Sequence, residues 1–304
     1  MINAIDVTNL NYSYPDGTKA LDGIDIKIEE GEKTVIVGPN GAGKTTLFLH
    51  LNGTLKSQGK NVSIFGRNIS EMAIEERIRE IGIIFQDPDD QLFMPTVYDD
   101  IAFGPLNMGL ENKEVDEKVK KALSIVGLEG FEDKVPHHLS YGQKKKVAMA
   151  SVLSMEPKIL VIDEPTANLD PRSRKELIKL INKLNKNQGI TIIMATHDVN
   201  ALPQLSDRVY VLNHKIIAQG SPREIFSDST VLKENNLEAP DVFKLFKVLG
   251  FFGYDYDTLP LSIDEAIEEL TKTIETNNGH IHLHIHEHTH QNIRDFINNN
   301  DHHH

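Results

Sequence analysis

One stretch, Gly38-Pro39-Asn40-Gly41-Ala42-Gly43-Lys44-Thr45-Thr46, limits what this chain can fold into more than any other. It follows the β-branched run Thr34-Val35-Ile36-Val37 and precedes Leu47-Phe48-Leu49-His50-Leu51. The first run reads as a buried parallel strand and the second as a helix. Strand, GxxxxGKT loop and helix in that order make a phosphate-binding loop. Its glycines let backbone N–H groups face phosphates, and the helix N-terminus adds the positive end of a dipole. Lys44 is then expected at the β- and γ-phosphates of a nucleotide, with the Thr45 hydroxyl on Mg²⁺.

Three further positions fit that chemistry. Lys158-Ile159-Leu160-Val161-Ile162-Asp163-Glu164-Pro165 is an apolar run ending in two carboxylates. Asp163 is expected to hold Mg²⁺ through water, and Glu164 to polarise the attacking water. Ile192-Ile193-Met194-Ala195-Thr196-His197 is another apolar run, closed by a histidine. Ligands of an open α/β sheet sit at the carboxyl ends of its strands, so His197 is expected at the γ-phosphate, holding the Glu164–water geometry. Gln86 ends Ile81-Gly82-Ile83-Ile84-Phe85 and is expected at the metal and the water. Alone, the acidic pair reads as a solvated strand end, the histidine as structural, and the glutamine as uninformative. Their shared place after apolar runs in a phosphate-loop chain gives them a function.

Composition excludes several alternatives. The 304 residues include no cysteine, which removes disulfides, thiolate metal sites and cysteine nucleophiles. A net charge of −13 argues against nucleic acid as a partner. No apolar run approaches the roughly 18–20 residues that span a bilayer, and the first residues lack the pattern of a signal peptide. The chain is therefore expected in the cytoplasm, reaching a membrane only through a partner. From Phe226 onward 14 acidic residues face 5 basic ones, a net of −9, which leaves −4 for the rest. That shift, beside Gly220-Ser221-Pro222, marks a domain boundary near 220–226.

Leu139-Ser140-Tyr141-Gly142-Gln143 stands a few residues before a helical stretch. With it, the chain resembles the ATPase subunits of ABC transporters. The phosphate loop, Gln86, these five residues, Asp163-Glu164, Ala167-Asn168-Leu169-Asp170 and His197 occur in that family's order. The resemblance spans 14–220. It implies two ATPases facing head to tail, each ATP held between one phosphate loop and the opposite five-residue signature. Ser140, Gly142 and Gln143 would then serve ATP in trans, and Asp170 would make the cross-subunit contact. It also implies an aromatic residue stacked on adenine: Tyr14, with Tyr12 as its rival. Two positions depart from the pattern. Tyr141 replaces the usual glycine and must point away from the nucleotide. Lys146 replaces the usual arginine and cannot form its bidentate fork.

Phe85-Gln86-Asp87-Pro88-Asp89-Asp90-Gln91-Leu92-Phe93, Pro95-Thr96-Val97 and Ala102-Phe103-Gly104-Pro105 narrow the resemblance. The chain is similar to the ATPases of energy-coupling factor (ECF) importers, especially the cobalt/nickel type. That implies a second ATPase, identical or related, a transmembrane coupling protein and a small membrane substrate-binding protein, with this chain peripheral on the cytoplasmic face. The cargo would be Co²⁺ or Ni²⁺, the alternatives being a vitamin importer or a soluble, non-transport ABC ATPase. The coupling protein would dock just after Gln86, at Gln91, Leu92 and Phe93. Residues after about 226 resemble the C-terminal region through which such ATPases pair.

In the tail, His280, His282, His284, His286, His288 and His290 alternate with other residues. As a strand they would share one face and could bind Co²⁺, Ni²⁺ or Zn²⁺. The expected whole is a phosphate-loop α/β fold with a parallel sheet and an antiparallel β-rich start. Its parts are an ATPase domain over 1–225 with a helical subdomain at about 90–155, an accessory region over 226–276 and a His-rich tail over 277–304.

Overall fold

The computed structural model describes residues 3–56, 59–276 and 293–294. The chain opens with β1 (Asn3–Ser13), β2 (Lys19–Glu29) and β3 (Lys33–Val37), followed by helix α1 (Lys44–Leu51). Then come β4 (Val62–Ile64), β5 (Arg67–Asn68), α2 (Ile74–Glu80) and β6 (Ile81–Ile84). Three helices follow, α3 (Val97–Asn107), α4 (Asn112–Val126) and α5 (Tyr141–Leu153). Strand–helix alternation resumes with β7 (Ile159–Asp163), α6 (Pro171–Gln188), β8 (Thr191–Ala195), α7 (Leu202–Leu205), β9 (Arg208–Asn213) and β10 (Lys215–Gly220). The last elements are α8 (Pro222–Ser227), α9 (Ser229–Glu234), α10 (Asp241–Phe251) and α11 (Ile263–Thr276).

Two sheets form. The first runs β2-β1-β4-β5 and is antiparallel. The second runs β10-β9-β3-β8-β7-β6, with β3 parallel to both neighbours and only β10 antiparallel to its own. The parallel strands therefore end on one edge. The phosphate loop leaves β3 there, Gln86 follows β6, Asp163-Glu164 close β7, and His197 follows β8.

The apolar runs lack alternation because both faces of this sheet are covered. Val35, Val37, Leu160 and Ile162 pack into a core shared with the helices. Ile36, Ile159 and Val161 face the antiparallel sheet, among Ile5, Leu21 and Phe48. Each fully buried Val, Ile or Leu contributes about 1.5–3 kcal/mol.

Helix α4 buries Val115, Val119, Ala122, Leu123 and Val126, a stripe at helical spacing, and ends on Gly127. Beyond β10, Phe226, Ala239, Phe243 and Leu261 join the helix-side core. Phe246, Tyr254 and Ala266 build a smaller one of their own. An Arg223–Glu265 ion pair at 2.8 Å ties α8 to α11. No described helix is long and apolar enough to cross a membrane.

Candidate active site

Loop geometry starts at Gly38. A Cβ there would lie 2.0 Å from the Leu212 carbonyl oxygen, so only glycine lets the loop pass over β9. The loop delivers the chain into α1, whose first residue is Lys44. The Lys44 ammonium donates to the carbonyls of Gly38 (2.7 Å) and Pro39 (3.0 Å). Burial holds its pKa below the ordinary lysine value, opposed by the carboxylates of Glu164 and Asp163. Thr45 Oγ1 donates to Asp163 Oδ2 at 2.9 Å, joining the start of α1 to the end of β7.

These residues share a cleft of about 530 Å³. Tyr14, Asn40, Gly41, Ala42, Gly43, Lys44, Thr45 and Thr46 line it, with Gln86, Asp163, Glu164 and His197 opposite. Gly38 and Pro39, whose carbonyls accept from Lys44, are outside that lining. Tyr14 is the cleft tyrosine, its hydroxyl 2.8 Å from Thr46 Oγ1. Tyr12 turns inward and meets His50 edge-on at 4.7 Å. Thr18, Lys19, Ala20 and His214 also line the cleft, and none of them was expected at the nucleotide from the sequence.

Glu164, like His214 among the residues lining the cleft, has left-handed backbone. Its φ of 46° lies in the left-handed region, which costs a residue with a side chain about 1–3 kcal/mol and persists only where neighbours impose it. Its N–H donates to the Ala195 carbonyl at 3.0 Å. Its Oε2 accepts from the His197 backbone N–H at 3.2 Å. Its Oε1 lies 3.1 Å from His197 Nε2, near enough for charge attraction but off the line of a hydrogen bond. Burial raises the Glu164 pKa above the ordinary carboxylate range, and Asp163 adds to the rise while His197 and Lys44 oppose it. A buried carboxylate with a free oxygen and a raised pKa is suited to take a proton.

The donor set also suits Mg²⁺. The Thr45 hydroxyl already meets the Asp163 carboxylate, and Gln86 lines the same cleft. A hard cation that keeps several waters needs only a few such oxygen ligands beside phosphate. No group of three or more His, Cys, Asp or Glu side chains converges as a metal site among the described residues. The tail histidines, 280–290, lie outside those residues.

The signature residues lie elsewhere. Ser140, Gly142, Gln143 and Asp170 do not line the cleft. Ser140 caps α5: its Oγ accepts from the Gln143 N–H, and Gln143 Oε1 accepts from the Ser140 N–H. The helix thus begins inside the signature rather than a few residues after it. The reciprocal bonds form an S-x-x-Q capping box, a signal present in the sequence. A Cβ on Gly142 would meet Ser173 Oγ at 2.9 Å, so glycine lets α5 pack against α6. Asp170 caps α6 by accepting from the N–H groups of Arg172 and Ser173. The Ser173 hydroxyl bond, then that residue's N–H, holds the Asp170 pKa below the usual range.

Both departures from the family pattern have partners. Tyr141 points back to its own chain and donates to the Gln86 carbonyl at 3.3 Å. Lys146 pairs with Glu176 at 2.8 Å, and Arg172 covers the other carboxylate oxygen at 3.1 Å. The docking expectation needs correction at Leu92. Leu92 is only 2 % exposed and belongs to the helix-side core. Gln91 is tied down, donating to the Ala148 carbonyl at 2.8 Å and Ser151 Oγ at 3.0 Å. Gln91 stays partly exposed, and Phe93 is 62 % exposed and meets Phe103 edge-on at 5.1 Å.

The ABC transporter family profile matches residues 21–167. A Methanocaldococcus jannaschii protein named energy-coupling factor transporter ATP-binding protein EcfA is 46% identical over 273 residues, 89% of this chain and 96% of that protein. The structure of CbiO1 from Clostridium perfringens, described as part of the ABC transporter complex cbiONQ, superposes with a TM-score of 0.69 at 44% identity. That match covers 81% of this chain and all of CbiO1. An ATP-binding cassette solved as a post-hydrolysis dimer with ADP and Pi matches with a TM-score of 0.65 at 26% identity, covering 72% of this chain and 99% of its own.

Proposed function

Because this chain belongs to the ABC transporter ATPases, as an ATP-binding subunit of the energy-coupling factor type, we propose that its ATP hydrolysis powers uptake of Co²⁺ or Ni²⁺ through a transmembrane coupling protein. The observation that carries the catalytic part is the convergence of Gln86, Asp163, Glu164 and His197 on the cleft of the phosphate loop.

In this reading Tyr14 stacks on adenine, and the N–H groups of Asn40 to Thr46 hold the phosphates. Lys44 moves from the Gly38 and Pro39 carbonyls to the β- and γ-phosphates. Thr45, Gln86 and Asp163 hold Mg²⁺, which when bound neutralises charge on the phosphates. Glu164 accepts a proton as water attacks the γ-phosphorus, the bond to the β–γ bridging oxygen breaks, and ADP and phosphate result. His197 keeps Glu164 in place and touches the γ-phosphate. A second ATPase supplies Ser140, Gly142, Gln143 and Asp170 to complete the site. The dimeric state of the related cassette supports that arrangement. Ile263, Ile267 and Ile274 share an exposed face of α11 and suit the pairing role given to the 226–276 region.

Phe93, Phe103 and Leu106 are exposed apolar side chains, Phe93 against Phe103, and suit the coupling protein. That contact would hold the chain at the cytoplasmic face of the membrane, with a small membrane protein binding the cargo. The alternating histidines 280–290 would bind Co²⁺, Ni²⁺ or Zn²⁺, and they favour a metal cargo by association.

Gentle detergent extraction of the tagged chain from its native cells, with mass spectrometry of what copurifies, tests the proposal. A multi-spanning coupling protein and a small membrane binding protein are expected. Soluble partners alone would overturn the transport reading and leave the ATPase assignment intact.

A further inference from the structure

Three consecutive lysines on α5 go to three different places. Lys144 pairs with Asp89 at 2.7 Å, and Lys146 with Glu176 at 2.8 Å. Lys145 turns inward and is only 3 % exposed. Its Nζ meets no carboxylate; it donates to the carbonyls of Glu164 (2.6 Å) and Pro165 (3.1 Å). One helical turn earlier on the same face, Tyr141 donates to the Gln86 carbonyl. The Lys145 ammonium lies 5.9 Å from the centre of the Tyr141 ring.

One face of one helix thus holds the main chain at two residues on which hydrolysis depends. The hold on Glu164 matters more. Its left-handed backbone needs outside support, and its peptide groups are fixed by Ala195 on one side and Lys145 on the other. Removing the ammonium would take the only side-chain donor from both carbonyls, leaving Glu164 O with just the Ala167 N–H at 3.3 Å, and the backbone could then relax toward ordinary φ.

We propose that Lys145, seconded by Tyr141, is a positioning residue for ATP hydrolysis. Through it the helix whose N-terminus bears Ser140 and Gly142 sets Glu164 and Gln86 of its own chain. The N-terminus of α5 meets nucleotide held by the second ATPase, so engagement there is passed along the helix to this chain's hydrolytic groups. The two sites of a pair are then coupled. The inference rests on the roles proposed above for Glu164 and the signature.

The test uses the full-length chain: wild type, Lys145→Met, Lys145→Gln, Tyr141→Phe and, as a control, Glu164→Gln. Phosphate release against ATP concentration gives kcat, KM and the Hill coefficient. Binding of a fluorescent ATP analogue and thermal unfolding are measured on the same preparations. Lys145→Met should lower kcat on the order of 10²-fold, the cost of misplacing a reacting group by about 1 Å, with analogue affinity unchanged. Lys145→Gln, still an amide donor, should recover part of that rate. Tyr141→Phe should lose less, and in both Lys145→Met and Tyr141→Phe the Hill coefficient should fall. Wild-type kcat in folded Lys145→Met would overturn the proposal. So would parallel losses of affinity, kcat and melting temperature with no recovery in Lys145→Gln. If Lys145→Met does not fold, unchanged kcat and Hill coefficient in Lys145→Gln and Tyr141→Phe overturn it. Wild-type turnover by Glu164→Gln would remove the underlying reading of Glu164, a separate result from failure of the link.

Discussion

His197 addresses both carboxylate oxygens of Glu164: its backbone N–H donates to Oε2 at 3.2 Å, and its Nε2 stands 3.1 Å from Oε1. The first contact survives any substitution at 197 except proline; the second belongs to the imidazole. Ring and carboxylate should therefore act as one unit.

His197→Ala should lower kcat by about 10²-fold, in the usual range for a group that assists proton transfer. Groups that act together give non-additive losses. Adding His197→Ala to Glu164→Gln should cost little beyond the single change. Steady-state phosphate release from the two single variants and the double variant checks this, and fully additive losses would contradict it.

Tyr14 lines the cleft, whereas Tyr12 packs against His50. Tyr14→Ala should weaken ATP binding on the order of tenfold, the scale of losing one aromatic–base stack, with a smaller effect on kcat. Tyr14→Phe should bind almost as wild type, since it loses only the bond to Thr46. Tyr12→Ala should lower thermal stability instead. Nucleotide titration and thermal melts of the three variants separate these outcomes.

Burial pushes the Lys145 pKa down to about 8 from an ordinary 10.5. Between those values the unfolded chain binds the proton that the folded chain has released, so this group's contribution to stability rises with pH. Wild type should gain on Lys145→Met as pH rises from about 8 toward 10.5, and the gap should be flat below about 8. Urea unfolding of both proteins at several pH values measures the difference. A gap that narrows over that range would refute the sign.

Deleting residues 280–290 removes six of the 14 histidines. ATP turnover should be unchanged, while bound Ni²⁺ or Co²⁺ per chain should fall, most clearly above the histidine pKa near 6.5, where imidazole is free to ligate. Equilibrium dialysis followed by metal analysis tests this. Equal stoichiometry with and without the segment would end the metal-handling role of the tail.

Much of the site was legible because phosphate chemistry tolerates few substitutes. A loop that must bend tightly, offer N–H groups and end in Lys-Thr leaves a recognisable string. Apolar runs closed by a polar residue mark the carboxyl edge of a covered parallel sheet. What stayed hidden depended on direction. Tyr12 and Tyr14 share strand parity, but β1 ends at Ser13 and only Tyr14 is released to the cleft. Leu92 and Phe93 are adjacent, equally apolar and oppositely placed. A run of three lysines reads as a solvated face, yet the helical rotation of about 100° per residue sends the middle one inward. The strain at Glu164 has no sequence signature, because left-handed backbone is expected of glycine or asparagine.

Glu164→Gln is the most direct test of the catalytic account, read by ATP binding and phosphate release on one preparation. It keeps the shape of the side chain and removes its ability to take a proton. The account predicts ATP binding at wild-type affinity, a dimer held together by ATP on size-exclusion chromatography, and phosphate release slowed about 10²–10⁴-fold. Phosphate release at the wild-type rate would contradict it.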